Sequence, residues 1–488
     1  MNRGSSKVAV GRWAVTAICI ALIGGSVGAQ VGPTSVAHTA SDPVVHPSES
    51  GQALPPDAEA FPVGGVMVGG RWAAGVAGVG ATWGGGTPVG VGGGIRAQAA
   101  SRWPVQFASD AMQWVTALGV DAEGTLFAGG YVEGTVRDGT PTMDDGFVRA
   151  LTEDGRAAWD APFATDGWDR VTALAVGPDG APVVVGPASP SPFGALNGFV
   201  RAFDANGRER WVHRFGTDGD DEPTAVAVGS DGRIYVAGHT TGAFDGGATG
   251  ASDGFVQVLD GEGREVWTRQ FGTEAFDDVT AVAVGPGGTV LVAGRTQGAF
   301  EGPNRGGWDG FVHVLDAEGR DVWTRQFGTE AADGVAALAV GSDGTVFVGG
   351  ATDGALAEEH AGGSDGFVRA LSVEGRHVWT HQFGTDAFDA VQGVAVTGDG
   401  AVVAAGTTEG QLGAVHTGAS DGFVRALDPE GRAMVTRQFG TDVCDAVTSV
   451  VVAPAGGVFV AGDTCGEFGG ANPFNVDGFV HRVSLRGP

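Results

Sequence analysis

The chain has 488 residues, 89 of them glycine, and a formal net charge of −29 with Lys7 as its only lysine. A surface of that sign repels phosphate backbones and anionic lipid headgroups, which makes nucleic acid and membrane surfaces poor partners. Glycine far above the usual ~7% without a collagen period means many tight turns or a flexible linker, and three cysteines are too few for a disulfide scaffold.

Residues 1–29 read as a secretory signal. Arg3, Lys7 and Arg12 precede an apolar run at 13–23, and Val27-Gly28-Ala29 offers small residues for cleavage before Gln30. The run is short of the ~20 residues a membrane span needs, so no insertion beyond this segment is expected, an uncleaved anchor being the alternative. A secreted or cell-envelope protein follows. Residues 30–101 read as a disordered linker, rich in Pro and Ser to about residue 62 and in Gly, Val and Ala from 63 to 94.

From residue 102 to 488 the chain is repetitive. Asp253, Asp309, Asp365 and Asp421 open near-copies spaced 56 residues apart, and internal repetition outranks other fold signals. Four short apolar elements recur. One is Trp-x-x-x-Phe at Trp103, Trp159, Trp211, Trp267, Trp323 and Trp379, with Val435 in the seventh slot. The second is a run such as VTAVAV, beginning at Val115, Val171, Pro223, Val279, Val335, Val391 and Val447. The third is a run such as TVLVAG at 289–294. The last is Asp-Gly-Phe-Val, with Asn197 in place of Asp once. Each reads as a β-strand joined to the next by Asp/Gly turns, so neighbours pair antiparallel. Runs apolar on both faces need cover on both sides, and with no helical segment only other sheets can give it.

The expected fold is therefore all-β: a seven-bladed β-propeller of four-stranded antiparallel blades. The array opens on a Trp element and closes on an Asp-Gly-Phe-Val element, so the N-terminal strand is expected to complete the last blade as its outer strand, removing an exposed edge. The segments DGFVRALDPEGR, TRQFGT and AVGSDGTVFVGG resemble the bacterial secreted β-propeller repeat family. Its pattern joins an Asp-x-Phe-Val strand, a Trp-x-x-x-Phe-Gly strand and a glycine-turned hairpin. The resemblance covers about residue 103 to the C-terminus and implies an extracytoplasmic protein without specifying an activity.

In this strand order the hairpin turns share one face of the disc and the longer connections the other. The long-loop face collects acids. Three residues after the Phe of the Trp element stand Asp110, Asp166, Asp218, Glu274, Glu330, Asp386 and Asp442. Six residues after it stand Asp169, Asp221, Asp277, Asp333, Asp389 and Asp445. As a metal site the candidates are Asp169, Asp218, Asp221, Asp277, Asp333, Asp389 and Asp445, and calcium is the ion, since it takes six to eight oxygens at ~2.3–2.6 Å. The competing reading is that each Asp bonds its own loop's backbone amides, once per blade. Both stay open at this point.

Other motifs carry less. The GxSxG serines Ser252, Ser364 and Ser420 lead into strands, whereas a nucleophile elbow joins strand to helix. His239, His360 and His416 fall in different blades, with no zinc spacing. Cys444 and Cys465 fall in two loops of the last blade on the same face, and a disulfide between them is expected, stabilising by ~3 kcal/mol. No catalytic residue is assigned. These features favour a monomeric, non-enzymatic binding or scaffold module whose long-loop face meets an extracellular protein or glycan. The alternative is an extracellular propeller enzyme, a lyase or hydrolase, with its site at the central channel.

Overall fold

The computed structural model describes residues 103–107, 111–134, 136–137, 140–141, 144–165, 167–189, 194–244, 247, 249–357, 360–468 and 476–485. The expected signal and linker, together with Asp110 and Asp166, lie outside them. The described chain is a seven-bladed β-propeller of antiparallel sheets. Blade 4 is representative, running outward from the channel as Asp277–Val284, Val290–Thr296, Asp309–Leu315 and Asp321–Phe327. Blade 7 comprises Asp445–Val452, Val458–Thr464 and Asp477–Val483, and takes Val105–Gln106 as its fourth strand, with Val105 opposite Val480. The ring is closed by a strand from the other end of the array, as the repeat phase predicts.

Two conserved kinds of contact within the repeat explain its glycines. Each complete inner strand carries a bulge, such as that between Val279 and Ala281, which pushes a carbonyl toward the second strand. A Cβ on Gly294 would lie 1.9 Å from the Asp278 carbonyl oxygen, so only glycine fits there. The glycine of Asp-Gly-Phe-Val is the floor for the outer-strand phenylalanine, since a Cβ on Gly310 would meet the Phe327 ring at 3.0 Å.

Blades are fastened to one another at two radii. Near the channel, a threonine at the bulge donates to the next blade: Thr116, Thr172, Thr224, Thr280 and Thr448 reach carbonyl oxygens at 2.6–2.8 Å. At the rim, each outer-strand tryptophan donates Nε1–H to the next blade's outer hairpin, as Trp323 does to Val373 at 3.1 Å. The same bond is made by Trp103, Trp159, Trp211, Trp267 and Trp379.

Several boundaries differ from the sequence expectation. The inner strands begin two residues earlier than their apolar runs, so the sixth-position aspartates open strands instead of sitting in loops. Blade 2 has its inner strand split into Trp168–Asp169 and Ala173–Val176, opposite a second strand containing Pro187, which has no N–H to give. Pro187 and Asp463 lie in the strands Pro182–Ser189 and Val458–Thr464, and His239 lies in Ile234–Thr240.

Candidate binding face

The sixth-position aspartates have an internal use. Asp277 is fully buried; its Oδ2 accepts the Thr273 amide at 2.5 Å and hydroxyl at 2.9 Å, and its Oδ1 accepts the Thr296 hydroxyl. Asp221, Asp333, Asp389 and Asp445 each accept from the threonine four residues earlier in the same way, and Asp169 from Thr165. Burial pushes the carboxyls of Asp221, Asp277, Asp333, Asp389 and Asp445 above the usual carboxylate range, against the pull of these donors.

The aspartates opening the third strands repeat the device. Asp253 accepts the Thr249 amide at 2.7 Å and Gln270 Nε2 at 2.8 Å. Both sets therefore clamp the connections between strands, and being buried they do not make the face acidic as expected. What the face exposes is the third-position set: Asp218, Glu274, Glu330, Asp386 and Asp442. The structure distributes the candidate calcium ligands one or two to a blade. Among the described residues no group of three or more His, Cys, Asp or Glu side chains is placed to hold a metal ion.

The serines of the GxSxG pattern belong to the same seams. Ser252, Ser364 and Ser420 offer their carbonyl oxygens to the amides of Asp277, Asp389 and Asp445, the first residues of the following blades. His416 stands 3.2 Å from Asp421, and His239 and His360 remain in separate blades.

Cys444 and Cys465 form a disulfide, with S–S 2.02 Å and Cα–Cα 5.3 Å. Its surroundings are informative. Cys465 packs against a cluster of Trp114, Tyr131 and Val476 at the seam between blades 7 and 1. Trp114 stacks on Tyr131 with centroids 6.2 Å apart, and the Arg170 guanidinium lies 5.0 Å from the Tyr131 ring and 5.2 Å from the Trp168 ring. Arg170 is ion-paired with buried Asp144. Burial drives the Tyr131 hydroxyl above its usual range, and the acidic neighbours Asp463, Asp144 and Glu133 push the same way against Arg170. Asp463, fully buried, accepts the Val115 amide at 2.9 Å, and burial holds its carboxyl well above the ordinary range.

These residues occupy columns of the repeat that change from blade to blade. Where blade 1 has Trp114 paired with Tyr131, blade 5 has Gly334 with Ala351 and blade 6 has Ala390 with Thr407. In blade 4 the pair is Asp278 with Arg295, ion-paired at 3.0 Å, and Arg295 also lies 4.4 Å from the Trp308 ring. In blade 3 the pair is Glu222 with His239, so charged side chains stand at the long-loop ends of the inner strands over several blades, while Trp114, Tyr131, Trp168 and Arg170 gather the aromatic ones at the blade 7–1–2 seam. The sequence reading passed over them because it sought what recurs; comparing the copies column by column is the signal that finds them.

Seven four-stranded blades joined by threonine and tryptophan bonds define a β-propeller whose variable residues collect on one face. Residues 210–245 match the family model described as a beta-propeller repeat. The regulatory protein FlaEY of Caulobacter vibrioides is 29% identical over 308 residues, a match covering 57% of this chain and 31% of that one. The chain thus spans about a third of the length of that curated relative. Among solved structures, the Pan2 WD40 domain of Neurospora crassa shares 12% identity at a TM-score of 0.45, covering 78% of this chain and 95% of that one. The β-propeller domain of the Trilobed protease of Pyrococcus furiosus shares 8% at 0.41, covering 73% and 91%. Neither likeness bears on activity.

Proposed function

We propose that the protein is an exported, non-enzymatic propeller that binds a protein partner through its long-loop face, centred on the blade 7–1–2 seam. The observation that carries this reading is the contrast between columns: the aspartates that open the strands are buried as clamps, whereas half-buried Trp168 and Arg170, backed by buried Trp114 and Tyr131, interrupt the repeat together. Aromatic and arginine side chains are the groups most used to anchor protein partners. The regulatory name of the relative favours a module that binds over one that catalyses. Export is supported by the basic, apolar and small-residue order of residues 1–29 and by the Cys444–Cys465 bond, which oxidising compartments preserve.

The test is a crosslinking capture from the native cell envelope, comparing the full chain with a Trp168→Ala/Arg170→Ala variant of unchanged melting temperature. The reading expects a defined partner that the variant no longer captures. Capture undiminished by the variant, or recovery of the protein only from the cytoplasm, contradicts it.

A further inference from the structure

The fifth residue of the third strand sits against the outer strand of its own blade, and in blades 1 to 4 it meets an acid there. Arg149 bonds Asp160 at 3.1 Å, Arg201 is ion-paired with Glu209, Gln257 Nε2 donates to Glu265 at 3.1 Å, and His313 lies 3.3 Å from Asp321. Glu209, Glu265 and Asp321 all open their outer strands. In blade 5 that position is His377, and Arg369, in register with Thr380, meets no acid among the described residues. Its guanidinium lies 4.5 Å from the Phe327 ring, and its buried Nε has no hydrogen-bond partner. Burial, and then the like charge of Arg305, bring Arg369 down to about 10.

Blade 6 also lacks the acid, with Ala433 in that position, but it is beside Arg369 that a cavity is found. A cavity of about 240 Å³ lies between the outer strand of blade 4 and blade 5, lined by Arg325, Phe327, Arg369, Leu371, Arg376 and His377 among others. Among the described residues that line it there is no acid. Arg325 is paired outward with Glu301 and Arg376 with exposed Glu374, which leaves Arg369, among the described lining residues, as the guanidinium without a carboxylate. In a chain of net charge −29 such a gathering of arginines stands out.

We infer that this cavity binds a carboxylate from outside the chain, which takes the place that Glu209 and Asp321 fill in their own blades. A guanidinium presents its donors in a planar fork matched to a carboxylate, and the neighbouring blades show the same strand position answering to that group. The cavity is at the rim, apart from the long-loop face, so it would serve a second ligand and stands or falls independently of the proposal above.

The experiment follows the Arg369 Nε–Hε resonance of the full chain by NMR at low ionic strength. Sodium acetate and a blocked glutamate (N-acetylglutamate amide) are the probes, with sodium chloride at equal concentration as control. A saturable shift with acetate alone identifies a free acid as the source, and tighter binding of the blocked glutamate identifies an acidic side chain. Arg369→Gln should weaken the binding, followed by neighbouring amides, about tenfold or more. His377→Glu, which rebuilds the internal acid of blades 2 and 3, should abolish it while raising the melting temperature. Shifts no larger than those with chloride, or undiminished binding to the His377→Glu variant, would overturn the inference.

Discussion

Asp463 shows how a single residue departs from its repeat and to what effect. Its column holds Arg295 in blade 4, Ala351 in blade 5 and Thr407 in blade 6, and Thr407 accepts the amide of Val447 from the next blade. Asp463 performs the same task for Val115 with a carboxylate that burial disfavours in its charged form. Because its proton affinity in the folded state is raised above that of the unfolded chain, its contribution is complete below the ordinary carboxylate range, near pH ~4. That contribution is lost as pH rises. An Asp463→Asn variant keeps the acceptor without the charge, so thermal scans should show it more stable than the parent at pH 8, with the gain shrinking toward pH ~4. A gain that grows on acidification would refute the burial account. None of this was legible in the sequence, because the group Asp463 serves, the Val115 amide of blade 1, is more than three hundred residues away in the chain.

The outer strand and the hairpin it meets form the next level of organisation. Val435 looks like decay in a tryptophan column until the topology is followed. It lies in the outer strand of blade 6, Ala433–Phe439, and faces blade 7, whose fourth strand is Val105–Gln106. No hairpin therefore joins the third and fourth strands of blade 7, and the Ser484 carbonyl beyond its third strand already accepts Arg437 Nε–H at 3.1 Å. Trp323→Phe should accordingly cost about 0.5–1.5 kcal/mol by calorimetry through the lost Nε1–H bond, whereas Val435→Trp should bring no gain. Equal stabilisation from a tryptophan at 435 would show that the indole acts by area alone. The hairpins, the strand order and the closing strand could be read from the sequence because turn chemistry and strand alternation are local. The clamps could not be told from metal ligands, since the donors to Asp277 include Thr296 on the paired strand, nineteen residues on. An acid near a loop also looks the same whether its partner is a hydroxyl or a cation.

At the scale of the whole disc, sevenfold repetition and function are kept in different columns. What recurs holds the ring: bulge threonines near the channel, tryptophans at the rim, and two carboxylates at most of the seams. What varies collects at the long-loop ends of blades 7, 1 and 2 beside the disulfide, and in the cavity between blades 4 and 5. This division rests on the buried aspartates taking their donors from the chain itself, threonine amides and hydroxyls above all. Calcium as a ligand of the native state would raise stability by RT ln(1 + [Ca²⁺]/Kd), about 2.7 kcal/mol at a hundred times Kd. The most direct measurement is therefore calorimetry of the full chain after chelation, with and without added calcium at matched ionic strength. The two melting curves should coincide. A saturable rise of several degrees with calcium, lost in Asp277→Asn and Asp333→Asn variants, would contradict the account and return the clamps to the role of metal ligands.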